Sequence, residues 1–157
     1  MEQPTPLCQA LALSDRRQAY AMMVAAQPHH WSFATFESSL ESPYEAIGLY
    51  QQRELLGFYI ILPTEIAGHR EVTLMEIVVG PAYQRLGYGR QLLQHLLRTA
   101  KQRDWSEIWL EVRSSNTPAC ALYQQMGFVQ TQIRKQYYPV PESPNQREDA
   151  RVMCWRP

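Results

Sequence analysis

Several features that this sequence lacks narrow the class of protein. Cysteine occurs three times, at Cys8, Cys120 and Cys154, and the three are widely spaced without a Cys-x-x-Cys pair. This argues against a disulfide framework or a structural zinc site and suits free thiols in a reducing compartment. Neither sign of charge is in excess, because 15 Lys and Arg balance 15 Asp and Glu. A general nucleic-acid binder needs a basic surplus, so that class is disfavoured.

Long apolar runs are also missing. No segment approaches the roughly 20 apolar residues that a transmembrane helix needs. The N-terminus lacks the basic start and apolar core of a signal peptide. The 157 residues contain no internal repeat, and 45 % of them are hydrophobic, which suits one buried core. We therefore expect one domain spanning 1–157 and a cytoplasmic location.

Hydrophobic periodicity and turn residues predict an α/β fold with a mixed, mostly antiparallel sheet and four helices, in the order β-α-α-β-β-β-α-β-α-β-β. The predicted strands are Leu7–Leu13, Tyr44–Tyr50, Leu55–Leu62, Glu71–Val79, Glu107–Val112, Phe128–Tyr138 and Asp149–Trp155. The predicted helices are Asp15–Ala26, Ser32–Leu40, Leu86–Gln102 and Pro118–Met126, with Ser14, Ser32 and Thr117 as N-caps. Loops are predicted at Pro63–Arg70 and, with two prolines, at Val140–Gln146.

A glycine-containing turn, Gln84-Arg85-Leu86-Gly87-Tyr88-Gly89, joins the strand that ends at Val79 to the long helix. Its two glycines allow the backbone to turn tightly and to approach a ligand closely. A helix N-terminus offers backbone amides and the positive end of the dipole to a phosphate. Residues 85–103 contain five basic side chains and no acidic one. On these residues alone, a phosphate site and a plain strand-to-helix turn both remain open.

Two other glycine motifs do not fit this turn. The third glycine of a dinucleotide fingerprint would fall at Leu92, and the chain has no Gly-Lys-Ser/Thr for a Walker loop. Gln84 to Gly89 instead resembles the Gln/Arg-x-x-Gly-x-Gly/Ala signature of the GNAT superfamily of N-acetyltransferases, whose order of elements agrees with the predicted one. The resemblance implies acetyl-CoA as cosubstrate and no metal. It implies that the following residues bind the cofactor: Ile77, Val78, Val79, Arg85, Leu86, Gly87, Tyr88, Gly89, Arg90 and Asn116.

A second group of motifs resembles bacterial ribosomal-protein alanine N-acetyltransferases. The matching segments are Leu110 to Asn116, Ala121 to Tyr123, Met126 to Phe128, Ile133 to Pro139 and Arg147 to Ala150. The resemblance implies direct transfer of acetyl to the N-terminal alanine amine of a small-subunit ribosomal protein. Glu111 would be the general base and Tyr123 the general acid. The longer loop before Arg147, with Gln146 where that group has Gly, leaves a small-molecule amine as an alternative acceptor.

Each of these residues also has a purely structural explanation. Glu111 is opposite in phase to the apolar residues of its strand and could be a surface carboxylate, in which case Glu76 is the competing base. Tyr123 could be a core aromatic, and Tyr137 and Tyr138 could either line an acceptor channel or be ordinary strand residues. A non-catalytic acyl-CoA-binding module is the alternative from another class. The presence of both Glu111 and Tyr123 disfavours it.

We disfavour two further sites. His29 and His30 form a loop pair after a proline, for which we do not expect metal binding. Cys120 has no histidine near it in sequence, so we do not expect it to act as a thiol nucleophile.

Overall fold

The computed structural model describes residues 2–157, with the side chain of Pro144 left out, and it confirms the predicted order of elements. The strands are β1 (Leu7–Ala10), β2 (Glu45–Gln51), β3 (Glu54–Ile66), β4 (His69–Val79), β5 (Glu107–Arg113), β6 (Val129–Val140) and β7 (Ser143–Trp155). The helices are α1 (Arg16–Ala26), α2 (Phe33–Ser38), α3 (Tyr88–Gln102) and α4 (Thr117–Gln125). Hydrogen bonding orders the strands β1-β2-β3-β4-β5-β7-β6.

The chain forms two compact units, and β3 and β4 contribute residues to both. The first unit comprises the chain up to Pro63 together with Leu74–Leu97. In it, Phe58 and Ile60 on one face of β3 join a buried cluster with Met23 of α1 and Phe36 of α2. On the opposite face, the Tyr59 hydroxyl lies 2.8 Å from His95 Nδ1 of α3. The period of two along β3 therefore gives each of its faces a helical partner.

The second unit comprises Thr64–Thr73 and Arg98–Pro157. Strand β5 runs parallel to β4 from Glu71↔Glu107 to Thr73↔Trp109, and antiparallel to β7 along most of its length. Its apolar face is buried, with Ile108 fully so, whereas Glu111 on the other face is partly exposed. The predicted opposition in phase between Glu111 and its apolar neighbours is confirmed. Strand β6 lies at the end of the strand order and pairs with β7 in an irregular register.

Two predicted loops are wrong, because tight hairpins replace them. Between β3 and β4 the turn is Ala67-Gly68, and both residues have positive φ, as a type I′ turn requires. The predicted Val140–Gln146 loop is a continuation of β6 and β7 around Pro141-Glu142, with Val140 paired to Ser143. Proline usually marks a loop because it cannot donate to a ladder. Here the strands extend around the prolines because the register of this hairpin is irregular near its turn.

Two of the three predicted N-caps are also wrong. Ser32 caps α2 as predicted, with its hydroxyl accepting from Thr35 N. Before α1, a 3-10 turn over Leu13–Asp15 takes the place of a Ser14 cap. Asp15 then holds the N-cap position, but its carboxylate accepts from the Tyr50 hydroxyl instead of a helix amide. Asn116 caps α4 in place of Thr117, because its Oδ1 accepts from Ala119 N at 3.3 Å.

Candidate active site

The glycine loop lies on the surface of the first unit and leads into the 15-residue helix α3. Arg85 and Gly87 both have positive φ, at 65° and 86°, so the backbone takes the left-handed conformation twice within the motif. The nearest heavy atoms to a Cβ built on Gly87 lie more than 4 Å away, so its space is open. Gly87 O accepts from Gln91 N, and the amides before residue 91 are those that a helix leaves without a carbonyl four residues back.

These features fit a phosphate-bearing ligand. Arg85 and Arg90 are exposed beside the loop and supply positive charge. Gln84 braces the base of the loop by donating from Nε2 to Val79 O at 3.2 Å. An exposed loop of this shape, with arginines and a long helix behind it, can bind a pyrophosphate through its amides.

Strand β4 leads into this loop and carries Ile77, Val78 and Val79. Val78 is buried in the core cluster, and its two neighbours are partly buried. Directly before them, the partly buried Glu76 accepts a hydrogen bond at 2.5 Å from Nε2 of Gln27, the residue that ends α1. Burial raises the pKa of Glu76 to about 7, against the opposing effect of hydrogen bonds from Gln27 and the Ile77 amide. A carboxyl with that pKa can take or release a proton near neutral pH.

In the second unit, Glu111 of β5 lies between two groups of β6. Its Oε1 is 2.8 Å from Nε of Arg134, and it accepts a hydrogen bond from the Tyr137 hydroxyl. The neighbouring Glu111 carboxylate raises the pKa of Tyr137, by its charge and by that hydrogen bond. The structure thus brings together two residues that were singled out separately, Glu111 and Tyr137. It also pairs Glu111 with a cation.

Helix α4 carries Tyr123, which is 7 % exposed and packs edge-on against Phe128 with ring centroids 5.7 Å apart. Tyr123 therefore has the core contacts of its structural explanation. Asn116, implied as a cofactor contact, has its carbonyl oxygen engaged in capping this helix. Cys120 is buried on the same helix, with Sγ 3.8 Å from Arg113 O, which fits the expectation of a structural thiol.

The β6–β7 hairpin is fastened to the end of β5 by charge. Arg113 binds Glu148 at 3.0 Å, donates to Pro139 O at 2.8 Å and stacks over the Tyr138 ring at 4.6 Å. Burial alone would raise the pKa of Glu148, but hydrogen bonds from Ser115 and Arg113 hold it below its ordinary value. The hairpin that bears Tyr137 and Tyr138 is thus tied to β5.

One further group of titratable side chains lies on β4 and β5. His69, Glu71 and Glu107 have ligand atoms within 4.8 Å of one another. His69 Nε2 lies 2.9 Å from Glu107 Oε1, and the second oxygen of Glu107 binds Arg156 at 2.8 Å. Arg156 neutralises part of the negative charge of this cluster. We therefore interpret the cluster as a network of ion pairs.

Comparisons with known proteins agree with this geometry. The profile of the Acetyltransferase (GNAT) family matches residues 11–128. The chain belongs to the GNAT acetyltransferase family. It is thereby an acetyl-CoA-dependent N-acetyltransferase, and the resemblance of Gln84–Gly89 to the GNAT signature is confirmed. None of the helices within residues 2–157 is long and apolar enough to cross a membrane.

Two similar proteins and one solved structure share the same activity. The [ribosomal protein bS18]-alanine N-acetyltransferase of Escherichia coli (strain K12) is 39 % identical over 145 residues, covering 92 % of this chain and 93 % of that protein. The enzyme of the same name from Haemophilus ducreyi is 34 % identical over 148 residues, covering 94 % and 98 %. The crystal structure of the ribosomal-protein-S18-alanine N-acetyltransferase from Escherichia coli matches this GNAT fold with a TM-score of 0.85 and 36 % identity, covering 97 % and 94 %.

Sequence reasoning missed two contacts in these sites. Gln27 and Glu76 are 49 residues apart, and Arg134 is distant in sequence from Glu111, so no local pattern links either pair. The proline after Gln27 marks only the end of a helix, and Arg134 lies among exposed residues of β6. Glu76 itself was named from the sequence as a competing base, but its neutral partner Gln27 was not.

Proposed function

We propose that this GNAT enzyme transfers acetyl from acetyl-CoA to the N-terminal alanine amine of ribosomal protein S18. The observation that carries the proposal is the agreement with bS18-alanine N-acetyltransferases over more than nine tenths of both chains. The acceptor-side motifs found in sequence, from Leu110 to Asn116 and from Ile133 to Pro139, lie within that match. A ribosomal protein as acceptor also implies that the enzyme acts in the cytoplasm.

The cofactor-binding part of the proposal assigns the pyrophosphate to the glycine loop. Arg85 and Arg90 contribute charge, and the backbone of Leu86 to Gly89 contributes amides at the N-terminus of α3. The strand residues Ile77 to Val79 would pair with the amides of the pantetheine arm, and Asn116 would contact the cofactor from the start of α4. A peptide-like arm can pair with a strand in the same way as a peptide does.

The chemical part of the proposal assigns one proton transfer to each of two side chains. An N-terminal amine has a pKa of about 8 and attacks the thioester carbonyl only as the neutral amine. Glu111 takes a proton from the nitrogen as the carbon–nitrogen bond forms. Tyr123 donates its phenolic proton to the CoA sulfur as the carbon–sulfur bond breaks. Tyr137, bound to Glu111, and Arg134 would hold the Glu111 carboxylate in place.

The small-molecule alternative loses its main support. It rested on a long, stiff loop at Val140–Gln146, but those residues belong to a hairpin with a two-residue turn. A peptide α-amine is therefore the favoured acceptor, and small amines are the comparison substrates in its test.

The test is a mass-shift assay with acetyl-CoA and a hexapeptide that copies the N-terminus of ribosomal protein S18 and starts with alanine. We expect a gain of one acetyl group on the α-amine, and none on the same peptide with a blocked α-amine. Glu111→Gln and Tyr123→Phe should lower the rate while leaving acetyl-CoA binding intact. If the wild-type enzyme modifies spermidine or another small amine but never the peptide, the acceptor assignment is wrong.

A further inference from the structure

Arg134 reaches Glu111 from a strand that is not its neighbour. Strand β7 lies between β5 and β6, with Val152 opposite Glu111 and Ala150 opposite Arg134. Residues two apart on a strand lie on one face, so all four side chains project from the same face of the sheet. Two strand spacings amount to about 9.5 Å, which only a long side chain spans. The Arg134 side chain thus lies across β7, and a change of its rotamer uncovers the Glu111 carboxylate.

A bulge in β6 turns two tyrosines to one side of the strand. The ladder with β7 shifts register between Arg134 and Tyr138, and Gln136 has a positive φ of 48° at this point. Adjacent residues of a regular strand point to opposite faces, yet the rings of Tyr137 and Tyr138 lie 5.0 Å apart. The bulge therefore places both rings together, and from there Tyr137 donates its hydroxyl to Glu111.

Glu111 and the ring of Tyr137 together form a site for a cation. The carboxylate supplies negative charge, and the face of an aromatic ring attracts a cation through its quadrupole. The Arg134 guanidinium fills this site, with Nε 2.8 Å from Glu111 Oε1 and the guanidinium carbon 5.5 Å from the centre of the Tyr137 ring. An ammonium group has the same charge and also donates hydrogen bonds, so it suits the same site.

A second arginine of β5 and the β6–β7 hairpin is held more firmly than Arg134. Arg113 pairs with Glu148, donates to a backbone carbonyl of β6 and lies 4.6 Å from the centre of the Tyr138 ring. Its side chain is 22 % exposed, whereas that of Arg134 is 47 % exposed. An exposed ion pair changes an equilibrium by at most about fivefold. Arg134 can therefore leave Glu111 at small cost, whereas three contacts fix Arg113.

The proposed reaction needs the position that Arg134 fills. A general base must come within about 2.6–3.2 Å of the nitrogen whose proton it takes. Under the proposed function, that nitrogen belongs to an α-amine of pKa about 8, which arrives near neutral pH mostly as an ammonium. Two cations at one carboxylate repel each other, and a Glu111 that has taken a proton no longer neutralises Arg134. The ammonium and Arg134 therefore compete for Glu111.

We infer that Arg134 is a specificity-determining residue, which fills the ammonium site of the acceptor in the free enzyme and yields it to the acceptor. The inference rests on the proposed function, that is, on attack by an amine beside Glu111. No covalent bond changes in this exchange: one ion pair of Glu111 breaks, another forms, and Tyr137 keeps its hydrogen bond. The exchange selects acceptors that carry an ammonium, because an uncharged group cannot replace the guanidinium.

The first experiment measures, by calorimetry, the Kd of the alanine-starting hexapeptide for the enzyme with bound CoA, so that no turnover occurs. Arg134→Gln should bind the peptide about two- to fivefold more tightly than the wild type, because no guanidinium competes with the ammonium. Arg134→Lys keeps a competing cation and should bind like the wild type. Equal or weaker binding by Arg134→Gln would overturn the inference, since a residue that merely supports the fold gives that result.

Two controls separate competition at Glu111 from a general effect of charge. Lys135→Gln removes the positive charge next along the strand, which is 77 % exposed and pairs with Asp149, and it should leave the Kd unchanged. The same peptide with an acetylated α-amine should bind Arg134→Gln and the wild type equally, because it brings no ammonium. A gain of the same size in either control would assign the effect to net charge and refute the exchange.

A spectroscopic test observes the ion pair in the wild-type enzyme. The Nε–H signal of Arg134 in nitrogen-15 NMR is assigned by its loss in Arg134→Lys. It should move when the peptide is added to the CoA complex, and it should stay in place with the acetylated peptide. The Arg113 signal should stay in place in both titrations. An Arg134 signal that does not move while the peptide binds is the result that rejects the exchange.

Failure of the inference and failure of the proposed function give different results. If the peptide is acetylated while Arg134→Gln gains no affinity, the acceptor assignment stands and the exchange at Glu111 is wrong. If the enzyme binds and acetylates spermidine but not the peptide, the acceptor assignment is wrong. Spermidine, which also carries ammonium groups, then replaces the peptide in both measurements. A CoA complex that binds neither compound contradicts both proposals.

Discussion

Replacing Glu76 by glutamine should make the protein more stable, and by an amount that depends on pH. The fold raises the pKa of Glu76 from 4.5 to about 7 because burial disfavours the charged form. The folded state therefore binds this proton more tightly than the unfolded state, and stability falls as the pH rises from 4.5 through 7. At about 1.4 kcal/mol per pH unit, the full cost above pH 8 is roughly 3 kcal/mol. Glutamine keeps the size of the side chain and removes the ionisation.

The assay is urea unfolding of the wild type and Glu76→Gln at pH 4.5, 6, 7 and 8.5. The two proteins should have nearly the same free energy of unfolding at pH 4.5. The advantage of the variant over the wild type should then grow steadily up to about pH 8. The control is Glu65→Gln, at an exposed position of β3, which should give no such gain. A constant difference between variant and wild type, or a variant that weakens as the pH rises, would refute the account of Glu76 as a buried carboxyl without a cationic partner.

Other predictions concern the proposed acid and three glycines. Tyr123→Phe should lower kcat by about 10²- to 10⁴-fold in a CoA-release assay, with acetyl-CoA binding retained; a loss of only a few-fold would remove Tyr123 as the acid. Gly87→Ala should raise the KM for acetyl-CoA, because φ is +86° and alanine there costs about 1–2 kcal/mol of strain. Gly68→Ala, at φ +80°, carries the same strain in the turn between β3 and β4 and should leave that KM unchanged. Gly57→Ala should destabilise the fold by about 1–3 kcal/mol in urea unfolding, because its Cβ would lie 2.5 Å from Val78 O.

The features that the sequence predicts well are those that depend on near neighbours. The apolar stripe of α3, the alternation along β5 and the glycines at 87 and 89 are local patterns, and each appears where it was expected. The hairpins at Ala67-Gly68 and Pro141-Glu142 were missed, because a partner strand determines whether such residues pair. The same holds for α1, whose predicted cap changes because Asp15 binds a tyrosine from β2.

In the candidate site, too, local features could be predicted from the sequence and long-range contacts could not. The glycine loop was found because its residues are contiguous and its chemistry is that of the backbone. The electrostatics of Glu76 and Glu111 could not be read from the sequence, since they depend on Gln27 and Arg134, which only the fold brings near. From sequence, the resemblance made Glu111 the general base, and Glu76 was its competitor. The structure distinguishes the two by their partners. Glu76 has two neutral donors, whereas Glu111 is paired with a cation.

The irregular register of β6 also bears on how this enzyme avoids aggregation. An edge strand invites pairing with an edge of another molecule, and β6 exposes Val129 and Ile133 along its length. Its ladder with β7 shifts register near residue 131, between 134 and 138, and again before the turn. Asp149 fixes the middle shift by accepting from Gln136 N and Lys135 Nζ. A foreign strand that docked here would meet a bent edge with a charged lysine, so it could not continue the sheet from one molecule to the next.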